Sequence, residues 1–297
     1  MKKFFLLALI AIILFSISGC NISASPAQIA ATTLPVYEFT VELCRGTNIS
    51  VTQLVTESVS CLHDYTLQVS QMRSIESAEL IILSGAGLED FLADALAVDT
   101  VTVDASAGIT LLCNTHTHEH EHEHEHEHVH NHEDDPHIWL SPANARQMAQ
   151  NICVGLKEQY PDCVDIFEQN LQALLEALTA LERYGQASLS QLSCRELVTF
   201  HDGFGYLAEA FGLTILEAIE EESGSEASAA EIIELTKLVN DHHLPAIFTE
   251  KNGSASAASI ISAEAGVPTY MLDMALSGSS YFDAMYHNIN TLKEALG

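Results

Sequence analysis

Positive charge is what this chain has least of. Eleven Lys and Arg stand against 41 Asp and Glu in 297 residues, a formal net charge of −30. Nucleic-acid binding needs clustered Lys and Arg to release counterions, and anionic lipid recruits polybasic segments; both partners are excluded. None of the seven cysteines forms a CxxC pair, which removes the usual thiolate zinc sites. An HExxH motif is absent as well, and no general base stands beside the histidines, so the chain does not read as a metallohydrolase or any other enzyme. The one long apolar run, residues 4–15, falls short of the ~20 residues that span a bilayer. Yet 47% of the residues are hydrophobic, far too many for a disordered acidic chain. At about 100–200 residues per domain, the length suggests two lobes.

The N-terminus sets the compartment. Met1-Lys2-Lys3, the apolar run and then Ile17-Ser18-Gly19-Cys20 read as a secretory leader, and the last four residues resemble the lipobox of bacterial lipoproteins. Residues 1–20 are therefore expected to be the leader and 21–27 a tether, with the chain held on the extracytoplasmic face of the cell membrane by lipidated Cys20. Six cysteines remain: Cys44, Cys61, Cys113, Cys153, Cys163 and Cys194. Export permits disulfides, and the pairs closest in sequence are Cys44 with Cys61 and Cys153 with Cys163. The alternative is that they are buried small apolar residues.

Along the rest of the chain, short apolar runs alternate with helical patterns, twice over. Strands are expected at 28–34, 49–55, 79–84 and 100–104, and again at 196–200, 213–218, 246–249 and 269–272. Helices are expected at 37–44, 69–77 and 88–96, then at 205–211, 229–239, 255–265 and 282–296. Such alternation predicts an α/β fold with mainly parallel sheets. Between the halves, Val164, Phe167, Leu171, Leu174, Leu178, Leu181 and Tyr184 share one helical face. The spacing alone reads as one arm of a helical hairpin.

Histidine is the residue in excess. Nine of the 15 lie between His116 and His132, interleaved with Glu. Three others sit at turns between strand and helix: His63 in Leu62-His-Asp-Tyr-Thr66, His137 in Asp135-Pro-His-Ile-Trp-Leu-Ser-Pro142, and His201 in Phe200-His-Asp-Gly-Phe-Gly-Tyr206. Ligands of open α/β sheets bind outside the carboxyl ends of the strands, and imidazoles suit zinc. Asp64, Asp135 and Asp202 are candidates to orient the rings. Trp139 and Phe204 read as packing residues, and His242, His243 and His287 as structural.

With these segments, together with Ala78-Glu-Leu-Ile-Ile-Leu-Ser-Gly-Ala-Gly-Leu-Glu89 and Ala246-Ile-Phe-Thr-Glu250, the chain resembles the metal-binding solute-binding proteins of bacterial ABC importers. Within that zinc/manganese cluster it is most similar to the zinc-uptake branch. The resemblance implies two lobes, 28–160 and 191–297, each with a four-stranded sheet, joined by a rigid helix within 161–190. It implies His63, His137 and His201 as ligands of a zinc ion held between the lobes for delivery to a permease and its ATPase, by a monomer. The manganese branch usually carries a carboxylate where His201 stands, and softer imidazole favours zinc. Many members place an Asp in a Gly-Asp-Ser-Tyr segment; here Gly278-Ser-Ser-Tyr281 puts Ser279 in its place. The fourth coordination position is left to a water or another carboxylate. Receptors for manganese or another divalent metal, and metal-dependent surface adhesins, are the alternatives. Residues 115–132, too polar to bury surface, form a His-rich loop expected to collect zinc.

Overall fold

A computed structural model describes residues 28–57, 62, 65–113, 134–220, 227–251, 256–278 and 280–297. The leader, Cys20 and the tether lie outside the described residues, as do Cys61, His63, Asp64, the loop 115–132 and Ser279.

Two four-stranded parallel sheets organise the chain. The first contains β1 (Ile29–Ala31), β2 (Val51–Gln53), β3 (Leu80–Leu83) and β4 (Thr102–Asp104) in the order β2-β1-β3-β4. The second contains β5 (Glu196–His201), β6 (Thr214–Glu220), β7 (Ile247–Glu250) and β8 (Thr269–Leu272) in the order β6-β5-β7-β8. Both follow one topological rule, with strand order reversing between the first and third strands. A crevice opens at the carboxyl ends of strands where order reverses; here that means the ends of β1 and β3, and of β5 and β7.

Each sheet has an inner and an outer face because side chains alternate along a strand. Ile29, Ala31, Leu80 and Ile82 turn inward, as do Leu197 and Phe248, and all join one continuous core. Ala30 and Ile81 turn outward onto α2 (Val69–Ser77), while Val198, Phe200 and Ile247 pack outward under α6 (Ala229–Asp241) and α7 (Ser256–Ala265).

The shared core runs through the helices between the sheets. Helices α1 (Leu34–Leu43), α3 (Pro142–Gln159) and α4 (Val164–Ser188) pack on one another, and α4 also meets α8 (Tyr281–Leu296). Local chemistry starts these helices. Ser141 Oγ accepts from the amide of Asn144, with Pro142 in the first turn of α3, and Ser280 caps α8; both satisfy amides that a helix start leaves open. At 25 residues, α4 is ~37 Å long. It buries Phe167, Leu174, Leu178 and Leu181. The stripe ends differently from the sequence expectation: Gly185 lies inward against the Phe211 ring of α5 (Gly205–Phe211), while Tyr184 stays half-exposed and donates to Asn290 Oδ1 at 2.6 Å. The 3.6-residue period drifts against a seven-residue step.

Two other expectations change. Residues 88–96 make only a 3-10 turn at Asp90–Leu92. Gly85, Ala86 and Gly87 all have positive φ, and the Glu89 side chain folds back onto the amides of Ser84 (2.6 Å) and Gly85 (3.0 Å) instead of capping a helix. Cys153 and Cys163 carry free thiols, as do Cys44, Cys113 and Cys194. Cys153 points from α3 into the core, where it serves as a small apolar residue.

Glu89 sits at the strand-order reversal of the first sheet. Thr32 Oγ1 also donates to it at 2.6 Å, and Thr33 and Ser84 hydroxyls pair beside it at 2.7 Å. Burial pushes its carboxyl up to about 6 from 4.5, against hydrogen bonds from Thr32, Gly85 and Ser84 that pull it down. Between those values the folded chain holds more protons than the unfolded one, so stability falls as pH rises through the window. The full penalty is about 2 kcal/mol, with about 1 kcal/mol of it entering between pH 5 and pH 7. Urea denaturation of wild type and Glu89→Gln at those two pH values checks this: the wild-type advantage should shrink by about 1 kcal/mol at pH 7, and a pH-independent difference would refute it.

Candidate metal centre

His137 reaches the centre from the loop that crosses into α3. Asp135 Oδ1 accepts from both the His137 backbone amide (2.9 Å) and its ring Nδ1 (2.8 Å). An acceptor-only oxygen beside Nδ1 requires the proton there, which leaves the Nε2 lone pair for a metal. Asp135 is itself held from behind. Tyr206 Oη donates to its carbonyl oxygen and accepts from the amide of Leu112, each at 2.9 Å. Burial pushes the Tyr206 phenol up to about 12, so it remains a neutral donor. The Trp139 ring lies 5.5 Å from the His137 ring, edge to face, and its Nε1 donates to the Met274 carbonyl at 2.7 Å. Tyr281 Oη returns a hydrogen bond to the Trp139 carbonyl at 2.8 Å.

His201 ends β5 on the inner face of the second sheet. Its ring stands 5.2 Å from that of His137, nearly perpendicular. The two imidazoles therefore come from different halves and are both buried, at 3% and 2% exposure. Across the strand-order reversal, Glu250 ends β7, with Oε2 3.9 Å from His201 Nδ1 and 5% exposed. The sequence reading gave this carboxylate no place at the centre. Its signal was a charged residue closing an otherwise apolar strand. Asp135 holds His137 as expected, whereas the carboxylate found beside His201 Nδ1 is Glu250.

His63 lies outside the described residues, and among those residues no group of three or more His, Cys, Asp or Glu is gathered to hold a metal. The described part of the centre supplies two imidazoles and two nearby carboxylates. His242 instead pairs with Glu196 at 2.9 Å and His287 with the Met271 carbonyl at 3.0 Å, both away from the centre. The residues flanking the His-rich segment are themselves paired. Cys113 and Asp134 form an antiparallel bridge, and the Asp135 amide donates to the Leu112 carbonyl at 2.8 Å.

Gly203 fits between the rings. A Cβ there would lie 2.6 Å from Met274 Cε, 2.7 Å from His201 Cδ2 and 2.9 Å from His137 Cε1. The Met274 methyl can swing aside; the His137 ring is tied to Asp135. Gly203→Ala should therefore force the rings apart and weaken metal binding by about tenfold or more, at about 1–3 kcal/mol of stability. A chelator-competition titration with a thermal melt checks this, and unchanged affinity would refute it.

The family profile described as "Zinc-uptake complex component A periplasmic" matches residues 29–295. The zinc-binding lipoprotein AdcA of Streptococcus pneumoniae is 32% identical over 307 residues, 99% of this chain but only 61% of that protein. The high-affinity zinc uptake system protein ZnuA of Bacillus subtilis is 30% identical over 281 residues, covering 91% of this chain and 87% of its own length. Among solved structures, the Zn(II)-bound ZnuA-like domain of S. pneumoniae AdcA aligns at a TM-score of 0.74 and 30% identity, covering 90% of this chain and 98% of the domain. The match takes in both sheets and the segments that carry His137, His201 and Glu250, and the chain belongs to the zinc-uptake component A family.

Proposed function

We propose that the chain captures zinc between its two halves and delivers it to the permease and ATPase of an ABC importer. The observation that carries this reading is the meeting of His137 and His201, two buried imidazoles from different halves of the chain, in a member of the zinc-uptake family. His63, on the segment after β2, is the third ligand, and a water completes the shell. Zinc is the cargo. The site has to bind and release it, and the work is transport with no turnover.

Neutral nitrogen donors favour zinc over harder manganese. The lipobox-like segment places the chain on the extracytoplasmic face through Cys20, as a monomer. No helix among the described residues is long and apolar enough to cross a membrane, consistent with attachment through the N-terminus. The loop 115–132 collects zinc at low affinity; the residues that flank it, Cys113 and Asp134, are paired, the latter three residues ahead of His137.

Calorimetric titration of the mature chain lacking residues 115–132, with zinc and manganese in competition, tests the proposal. One tight zinc equivalent is expected. His63→Ala, His137→Ala and His201→Ala should each weaken it by more than the roughly 10–100-fold typical of losing an outer hydrogen-bond partner. Preference for manganese, or a tight site that survives these substitutions, would overturn the assignment. Restoring residues 115–132 should add weaker zinc equivalents without changing the tight one.

A further inference from the structure

The second sheet places a carboxylate level with its histidine by register alone. Thr199 of β5 is paired with Phe248 of β7 in a parallel ladder. Side chains repeat every two residues along a strand, so His201 and Glu250, each two residues further on, stand side by side on the inner face. The Thr199 hydroxyl donates to the His201 carbonyl at 3.0 Å and steadies the strand end. The neighbouring cation, Lys251, is turned toward Asp273 Oδ2 at 2.8 Å.

Charge gives this placement a purpose. Neutral imidazoles and a water contribute no charge to a divalent cation, and Gly278-Ser-Ser-Tyr281 has no carboxylate where the resemblance leads one to be expected, as in many members. A buried charge needs an opposite charge nearby. Asp135 supplies one, through His137. From these observations we infer that Glu250 supplies the other: it is the positioning residue for His201, accepting Nδ1–H so that Nε2 faces the metal, and replacing the missing aspartate's charge from one shell further out. The 3.9 Å separation exceeds hydrogen-bond length and closes by a small rotation of either side chain as the metal draws Nε2 into place.

The inference rests on the reading of His201 as a ligand, and the experiment separates the two. Zinc affinity of the tight site is measured in the full-length mature chain by competition with a chelator, for wild type, E250D, E250Q and His201→Ala. The cobalt(II) ligand-field spectrum and a thermal melt of the metal-free protein accompany each. The expected order is wild type, then E250D, then E250Q, with E250Q weakened about 10–100-fold and its cobalt bands shifted. E250D keeps the charge at shorter reach and rescues part of the loss, which a merely structural role would not produce. Affinity of E250Q within threefold of wild type, or equal to that of E250D, overturns the inference. Should E250Q not fold, E250D decides alone: tight binding within about tenfold of wild type with shifted cobalt bands supports the inference, and an unchanged spectrum overturns it. Retention of the tight site in His201→Ala would instead sink the ligand assignment itself.

Discussion

The hydrogen bond from Trp139 Nε1 to the Met274 carbonyl is the constraint on which the centre depends. It ties the loop carrying His137 to the segment that follows β8, and Tyr281 closes the same seam from the other side through the Trp139 carbonyl. Leu34 and Leu276 join backbone to backbone nearby, and Glu38 accepts from the Tyr281 amide at the start of α8. Burial raises the Glu38 carboxyl while the Tyr281 amide and the Ser280 hydroxyl lower it. Such a seam, over a core continuous from Ile29 through Leu178 to Leu296, resists wide opening. His137, in the loop ahead of α3, and His201, at the end of β5, are thus held at short range, and on the proposed reading the ordering cost of binding zinc is reduced accordingly.

A rigid seam moves the problem of release elsewhere. If the halves cannot swing far apart, zinc held as proposed has to leave through changes in the side chains that hold it and in their neighbours. Those neighbours differ between the halves. Asp135 is locked by the His137 amide and ring and backed by Tyr206, whereas Glu250 Oε2 stands 3.9 Å from His201 Nδ1 at the end of β5.

Much of this was legible in the sequence, for identifiable reasons. The buried parallel strands read as apolar runs because both faces are covered, as at Leu80–Leu83, and α2 at Val69–Ser77 stood out by its position between them. His137 and His201 were conspicuous as polar residues at turns. Three features were not readable. The 88–96 segment has helical composition, but Glu89 spends its carboxylate on the loop behind it. Tyr184 fits the α4 stripe by count, but the helical period carries the inward position to Gly185, where the Phe211 ring leaves no room for a side chain. Glu250 becomes a partner of His201 only through the β5–β7 register, and register between strands some 50 residues apart is not written in either strand.

The two sheets invite comparison at their reversal points. In the first, Glu89 lies beyond the ends of β1 and β3 and is taken up by Thr32, Ser84 and Gly85. In the second, Glu250 lies at the end of β7 beside β5, and the group facing it is an imidazole. The same topology thus buries a carboxylate at the same place twice, with opposite consequences. The Thr32 hydroxyl after β1 and the Ser84 and Gly85 amides of its own loop consume the first and shape the Gly85–Gly87 turn. The His201 imidazole faces the second, so on the proposed reading its charge is directed at the metal that this ring holds. Duplicated architecture explains why each crevice carries an acid, and the residue opposite decides whether that acid serves the fold or the cargo.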